Sequence, residues 1–377
     1  MPNTRTLRID TPSLLRTAGG WRVSAEVAGT VVWFESDDTA LLAAPEAFAS
    51  LFLLPALAER ATLVSDAPLD PRWLENAAEL VELFSRWWRY PALVPRATAA
   101  AAAEPSRDAG AALFFSGGVD SFHSLLCCNE SPRLLVMVQG FDFGLDDVVR
   151  AKAAHDSMRE VAAALGIATG FIRTNVREHP LVRAVAWERT NGGALAAVGH
   201  LLAASHSEVL ISSSISTRWN EPWGSHLEVD ARFSSSRVRF RTVATAHRRM
   251  EKIQEVARQT LPRTHLRVCW QNRTATGNCS RCDKCVITRL VLAEAGELEH
   301  FTTFEGPATL PAHLDAIRSD KRIQTLAEMS QSEHLEPAIR RSARGLYERS
   351  VRRYSLPVRL RRALVHLWHG WRGTPQR

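Results

Sequence analysis

The segment Leu113-Phe114-Phe115-Ser116-Gly117-Gly118-Val119-Asp120-Ser121 constrains this chain more than any other. An apolar, strand-like run meets two adjacent glycines and then the start of a helical pattern, Ser121 to Cys128. Paired glycines open conformations closed to other residues and allow close approach, so successive N–H groups can converge on an anion at the positive end of the following helix. Ser116 and Ser121 add hydroxyl donors. Asp120 is acidic where a phosphate would sit, which suits a carboxylate holding Mg²⁺ that bridges phosphates. A bare pair of glycines also serves to turn an ordinary strand into a helix, so the surrounding pattern has to decide.

That pattern alternates. Strand-like runs at Ala111–Phe115, Arg133–Val138, Ala168–Arg173 and Val209–Ser212 are separated by helical periods at Ser121–Cys128, Asp146–Leu165 and Gly193–Ala204, and Ala246–Arg258 is helical again. Such alternation predicts an α/β fold built on a doubly wound parallel sheet. Residues 1–96 read as a separate small α+β domain, with strands Trp21–Val27 and Thr30–Phe34 turned at Ala28-Gly29 and helices at Ala44–Leu57 and Pro71–Trp88. Asp70-Pro71 is a cap followed by proline at the first helical position. Residues 97–110 are an alanine-rich linker, 111–300 the main domain, and 301–377 a helical, arginine-rich extension.

Four of the six cysteines, Cys269, Cys279, Cys282 and Cys285, fall within seventeen residues. Four thiolates satisfy tetrahedral Zn²⁺ and close the site, which marks it as a structural four-cysteine zinc module. Gly277-Asn278 supplies the tight turn before Cys279. A Cys-x-x-Cys redox pair is the competing assignment, and Cys127 and Cys128 read as core.

Taken whole, Ser-Gly-Gly-x-Asp-Ser at Ser116 to Ser121 resembles the signature of the PP-loop ATP pyrophosphatases, of the adenine nucleotide alpha hydrolase-like superfamily. These include asparagine and GMP synthetases, tRNA-thiolating enzymes and 7-cyano-7-deazaguanine synthases. Neither Gly-x-x-x-x-Gly-Lys-Ser/Thr nor Gly-x-Gly-x-x-Gly occurs. The resemblance implies that Ser116, Gly117, Gly118, Val119, Asp120 and Ser121 cradle the pyrophosphate part of ATP, with Asp120 positioning Mg²⁺ and Asp120 and Ser121 acting in catalysis. It also implies an adenine site near Val136–Gly140, mainly on backbone groups. The cysteine spacing, with Arg289 and Ala293-Glu294-Ala295-Gly296 after it, is similar to the close of the cyanodeazaguanine synthases. The likeness covers about 111–296 and leaves the two ends outside it.

The substrate candidates lie between loop and cysteines. Ser212 to Asp230 follows the fourth strand's carboxyl end, where open parallel sheets bind ligands, and holds Arg218, His226 and Asp230. Arg189, beside Gly192-Gly193, is a second candidate for meeting an anion. Each of these segments is equally readable as a packed loop or a helix cap. His123, near the start of the loop's helix, reads as packed or as a phosphate contact.

The net charge of +7 is concentrated: residues 339–377 hold eleven arginines against Glu348, or +10, which leaves −3 (+7 less +10) for 1–338. The tail is either a solvated extension or a contact for an anionic partner such as RNA, a membrane surface or a protein. No stretch approaches the roughly 18–20 apolar residues of a membrane span, and a cytoplasmic location is expected. The expected activity is an ATP-dependent, AMP- and pyrophosphate-forming ligase or cyanodeazaguanine synthase-like enzyme. It would adenylate a carboxylate, on a small molecule or a peptide, and pass it to a nitrogen nucleophile. Two alternatives stand: a sulfurtransferase acting on tRNA or a small molecule, and a non-catalytic zinc-containing binding protein. The oligomeric state is open.

Overall fold

The hairpin turned at Ala28-Gly29 is the clearest local signal in the leading segment, and both residues sit at positive φ, 51° and 76°. It joins β3 (Gly20–Val27) to β4 (Thr30–Ser36), after β1 (Arg5–Ile9) and β2 (Ser13–Thr17). Next come α1 (Pro45–Ala58), β5 (Ala61–Ser65), α2 (Pro71–Trp88), β6 (Gly110–Phe114), α3 (Val119–Leu126), β7 (Leu134–Gln139), α4 (Val148–Leu165) and β8 (Ala168–Thr174). Then follow α5 (Pro180–Arg183), α6 (Trp187–Leu201), β9 (His206–Ser212), α7 (Leu227–Asp230) and β10 (Arg239–Val243). The last elements are α8 (Arg249–Ala257), α9 (Pro262–His265), α10 (Asp283–Glu294), α11 (Asp320–Met329) and α12 (Pro337–Arg353). The computed structural model describes residues 5–17, 19–101, 110–214, 222–306 and 320–353.

The chain is α/β, with one mostly parallel ten-stranded sheet in the order β10-β9-β6-β7-β8-β4-β3-β1-β5, and β2 paired to β3. From β10 to β8 every pairing is parallel. Beyond β8 the pairing is antiparallel through β4, β3 and β1, and parallel again between β1 and β5. The chain moves outward from β6 through β7 to β8, then returns to the other side of β6 for β9 and β10.

The separate leading domain expected over residues 1–96 is therefore corrected: its strands extend the same sheet. Phe34 pairs with Thr174, the Thr174 hydroxyl donates to the Trp33 carbonyl at 2.6 Å, and the Trp33 N–H donates to Asn175 at 2.9 Å. The physical reason lies in α1, which buries every residue from Ala47 to Leu57. A helix apolar on all sides cannot stand on a domain surface and needs cover all round. Part of that cover is α6, where a Cβ on Gly193 would lie 2.5 Å from the Ser50 carbonyl oxygen, so only glycine lets the two helices meet. The start of the expected linker is also tied down, since Arg96 and Ala99 bridge in parallel to Val64 and Leu69.

Helix α6 begins at Trp187, six residues before the expected Gly193, so Arg189 and its neighbours lie inside it rather than at a cap. Asp70 caps α2 as expected, accepting from the Trp73 N–H at 3.1 Å. Two compact units result, one of residues to Arg248 with His265–Arg267, the other of Arg249–Thr264 and Val268 onward. In the second unit α12 buries Ala343, Leu346 and Ser350 and exposes Arg341, Arg344 and Arg349, while the tail beyond Arg353 lies outside the described residues. No described helix is long and apolar enough to cross a membrane.

Candidate functional site

Strand β6 delivers its carboxyl end to the loop. Phe115 extends the pairing through its N–H to the Val136 carbonyl at 2.8 Å, and its ring meets Phe122 of α3 edge-on at 5.0 Å. With Val119 and Phe122 also buried, strand and helix are locked to each other on both sides of the turn. Between them Ser116 is exposed, and Gly117 takes φ +72°, a left-handed conformation costly for a residue with a Cβ. Gly118 caps α3 at φ −83°, ψ 172°, with no side-chain cap bond. The first turn of a helix carries N–H groups that no helical carbonyl can accept, and Gly118, as the cap residue, has no side chain to offer them.

The two loop hydroxyls are engaged with the loop itself. Ser116 Oγ accepts from the Gly118 N–H at 3.4 Å, and Ser121 Oγ, buried, donates to the Gly118 carbonyl at 3.0 Å. Asp120 is half-buried in the first turn of α3. The end of β7 lies next in the sheet, where the Gly140 N–H donates to the Phe143 carbonyl at 3.0 Å and the Gln139 amide donates to the Gly144 carbonyl at 3.0 Å. His123 is fully buried, its Nδ1 3.7 Å from Cys128 Sγ and its ring 4.8 Å from that of His247.

Arg189, His226 and Asp230 each have partners of their own outside the loop. Arg189 is held by aromatic groups, donating to the Tyr90 hydroxyl at 3.0 Å and lying 5.4 Å from the Trp88 ring centroid. His226 is buried against Trp87 and accepts from the Glu228 N–H at 3.0 Å. Asp230 is wholly buried and accepts from Thr242 Oγ1 at 2.8 Å, Ser225 Oγ at 3.2 Å and the His226 N–H at 3.2 Å. Desolvation outweighs these bonds and raises its pKa to about 7. Arg218 lies outside the described residues. One cation at the loop has no counterpart in the sequence reading: Arg267, whose backbone N–H donates to the Gly117 carbonyl at 2.8 Å and whose Nη2 donates to the Ser116 carbonyl at 3.2 Å. No spacing pattern links positions 150 apart, so only the fold could find it.

The second unit holds the four cysteines together, all buried, with sulfur atoms within 4.8 Å of one another. Cys282 and Cys285 are 3.4 Å apart at sulfur, and Cys279 and Cys285 4.0 Å. Tetrahedral Zn–S bonds of about 2.3 Å put sulfurs about 3.8 Å apart, so the donor set fits such an ion. The hydrogen bond between Cys282 and Cys285 is the main cause that lowers the Cys282 pKa to about 5, and the same contact with burial pushes Cys285 upward. With all four ionised, thiolates this close would need a cation to balance them.

The cage is built by side chains the spacing alone does not reveal. Asn278 Oδ1 accepts from the Val268 N–H at 2.8 Å and the Cys269 N–H at 3.1 Å, fastening Cys269 beside the other three. Gly277 at φ +71° and Ser280 at φ +56° bend the loop, and buried Arg289 donates to the carbonyls of Ser280 and Gly306. The cluster is thus a buried four-thiol site able to hold a metal ion such as zinc. No protein-family model, no curated protein and no solved structure matches this chain, so the chemistry of both sites rests on their own geometry.

Proposed function

We propose that this chain is a PP-loop ATP pyrophosphatase that splits ATP to AMP and pyrophosphate, adenylating a carboxylate that a nitrogen nucleophile then attacks. One observation carries the reading: the Ser116–Ser121 loop stands at the carboxyl end of β6, the strand about which the sheet order reverses. The order of the five parallel strands supports reading them as a doubly wound sheet, in which ligands bind outside the carboxyl ends at such a reversal. Gly117 at φ +72° and the glycine cap of α3 favour the close approach of an anion there. A carboxylate resists attack by an amine, and AMP is the leaving group that removes the difficulty. Mg²⁺, held by Asp120, would neutralise charge on the departing pyrophosphate. The loop N–H groups would orient the phosphates and stabilise the same charge from the other side. The four cysteines would hold Zn²⁺ as a closed structural site.

Asp120→Asn tests the assignment, because it removes the charge and keeps the shape. The expected loss is about 3–4 kcal/mol of transition-state stabilisation, roughly a hundred- to a thousandfold in rate, with fold and metal content unchanged. Wild-type protein incubated with labelled ATP and fractions of cell extract should release AMP and pyrophosphate. Release of ADP and phosphate, or full turnover by Asp120→Asn, would remove the basis for the family assignment.

A second reading, delivery of sulfur to an adenylated acceptor, is favoured by the contact of Cys128 with His123, which places a thiol outside the four-cysteine cluster within reach of a base. Unchanged turnover in Cys128→Ser would dispose of it.

A further inference from the structure

The chain leaves the first compact unit after Arg248 and comes back to it for only three residues, His265–Arg267. Both ends of this return are fastened. His265 Nδ1 lies 2.9 Å from Ser157 Oγ on α4, and Arg267 makes the two bonds to the loop already described. The guanidinium also lies over Phe143, with Cζ 5.4 Å from the ring centroid, and its side chain is 14% exposed. Its ion pair with Asp142 is at the limit of contact, 4.0 Å, and Asp142 is largely exposed, so solvent screens that attraction.

The bonds have a consequence for any anion at the loop. A loop binds phosphate when its N–H groups face the ligand and its carbonyl oxygens do not, because carbonyl lone pairs repel a phosphoryl oxygen. The carbonyls of Ser116 and Gly117, the two residues before the cap of α3, both accept from Arg267. They are thereby turned to the arginine and occupied. A guanidinium spreads five N–H donors over a rigid fork, so the group that holds Ser116 also brings a full positive charge beside the loop.

We propose that Arg267 is the cationic clamp of this loop: it holds the Ser116 and Gly117 carbonyls away from the ligand and donates to a phosphoryl oxygen of bound pyrophosphate or nucleoside triphosphate. The proposal rests on the loop's assignment as a phosphate site and adds a residue that touches the ligand.

Titration calorimetry with inorganic pyrophosphate and Mg²⁺ on the full, metal-loaded chain tests it. Arg267→Gln should bind roughly ten- to a hundredfold more weakly, the loss of one charge-assisted contact. Its affinity should also fall less steeply with added salt than that of wild type, because one ligand-facing charge is gone. Arg267→Lys keeps the charge without the fork, so it should bind more weakly than wild type with the wild-type salt dependence. It serves as the measurement if the glutamine variant does not fold. Wild-type affinity in either variant overturns the clamp. Weaker binding by Arg267→Gln with an unchanged salt dependence overturns the ligand contact and leaves only support of the loop. Absence of pyrophosphate and nucleotide binding by the wild type overturns the loop assignment, and the clamp with it.

Discussion

Alanine substitutions at Gly117 and Gly118 separate what the backbone demands from what a ligand demands. Gly117 sits at φ +72°, where a Cβ costs about 1–2 kcal/mol, although space is available because the nearest atom, the His265 carbonyl oxygen, would be 3.6 Å away. Gly117→Ala should therefore lower unfolding stability by about that amount. Gly118, at φ −83° and ψ 172°, already has a conformation open to any residue. Its added Cβ would meet Ser116 Oγ at 3.2 Å, the rotatable tip of an exposed side chain. Lower entropy of the unfolded chain offsets the contact, so Gly118→Ala should change stability by less than about 1 kcal/mol in either direction. Folding thus gives no reason for the second glycine, whereas a phosphate approaching the backbone does. Losing one charge-assisted hydrogen bond, about 1.5–3 kcal/mol, corresponds to roughly ten- to a hundredfold weaker binding. Urea unfolding followed by tryptophan fluorescence measures the first effect, and pyrophosphate titration the second. If Gly118→Ala binds pyrophosphate like wild type, or loses as much stability as Gly117→Ala, close backbone approach at this loop is refuted.

Two further outcomes follow from buried groups. The purified chain should carry about one Zn²⁺, and Cys285→Ser or chelation should release it and unfold residues around 268–289, because metal binding at a closed thiolate site contributes to folding. Elemental analysis without zinc, or an iron–sulfur absorption spectrum, would contradict this. Asp230 should make stability fall with rising pH. Its folded pKa of about 7 exceeds the unfolded value of 3.8, so its contribution is fully present below about pH 4 and is lost as pH rises to about 7. The change is on the order of 4 kcal/mol across that window. Asp230→Asn should abolish it, and a wild-type-minus-variant stability difference that stays constant between pH 4 and 7 would show that Asp230 does not titrate this way.

Much of the local structure is legible in the residues alone. Strand and helix periods, the Ala28-Gly29 turn, the Asp70-Pro71 cap, the glycine junction after β6 and the clustered cysteines are each signalled within a few residues, because backbone geometry and metal-ligand spacing act over that range. The bounds of α2 agree with its pattern to the residue. Membership in the sheet is different. Whether the leading strands stood alone or joined β8 depended on a pairing between Phe34 and Thr174, 140 positions apart, and on how the buried α1 could be covered. The same holds for the side chains. Arg267 looks like any charged residue ahead of a cysteine, and His226 and Asp230 look like loop residues open to a substrate. Folding puts the first onto the Ser116 and Gly117 carbonyls and closes the other two inside the protein. Local pattern determines what each segment becomes; which segments then lie side by side, and so which polar groups stay available for chemistry, is decided by burial of apolar surface over the whole chain.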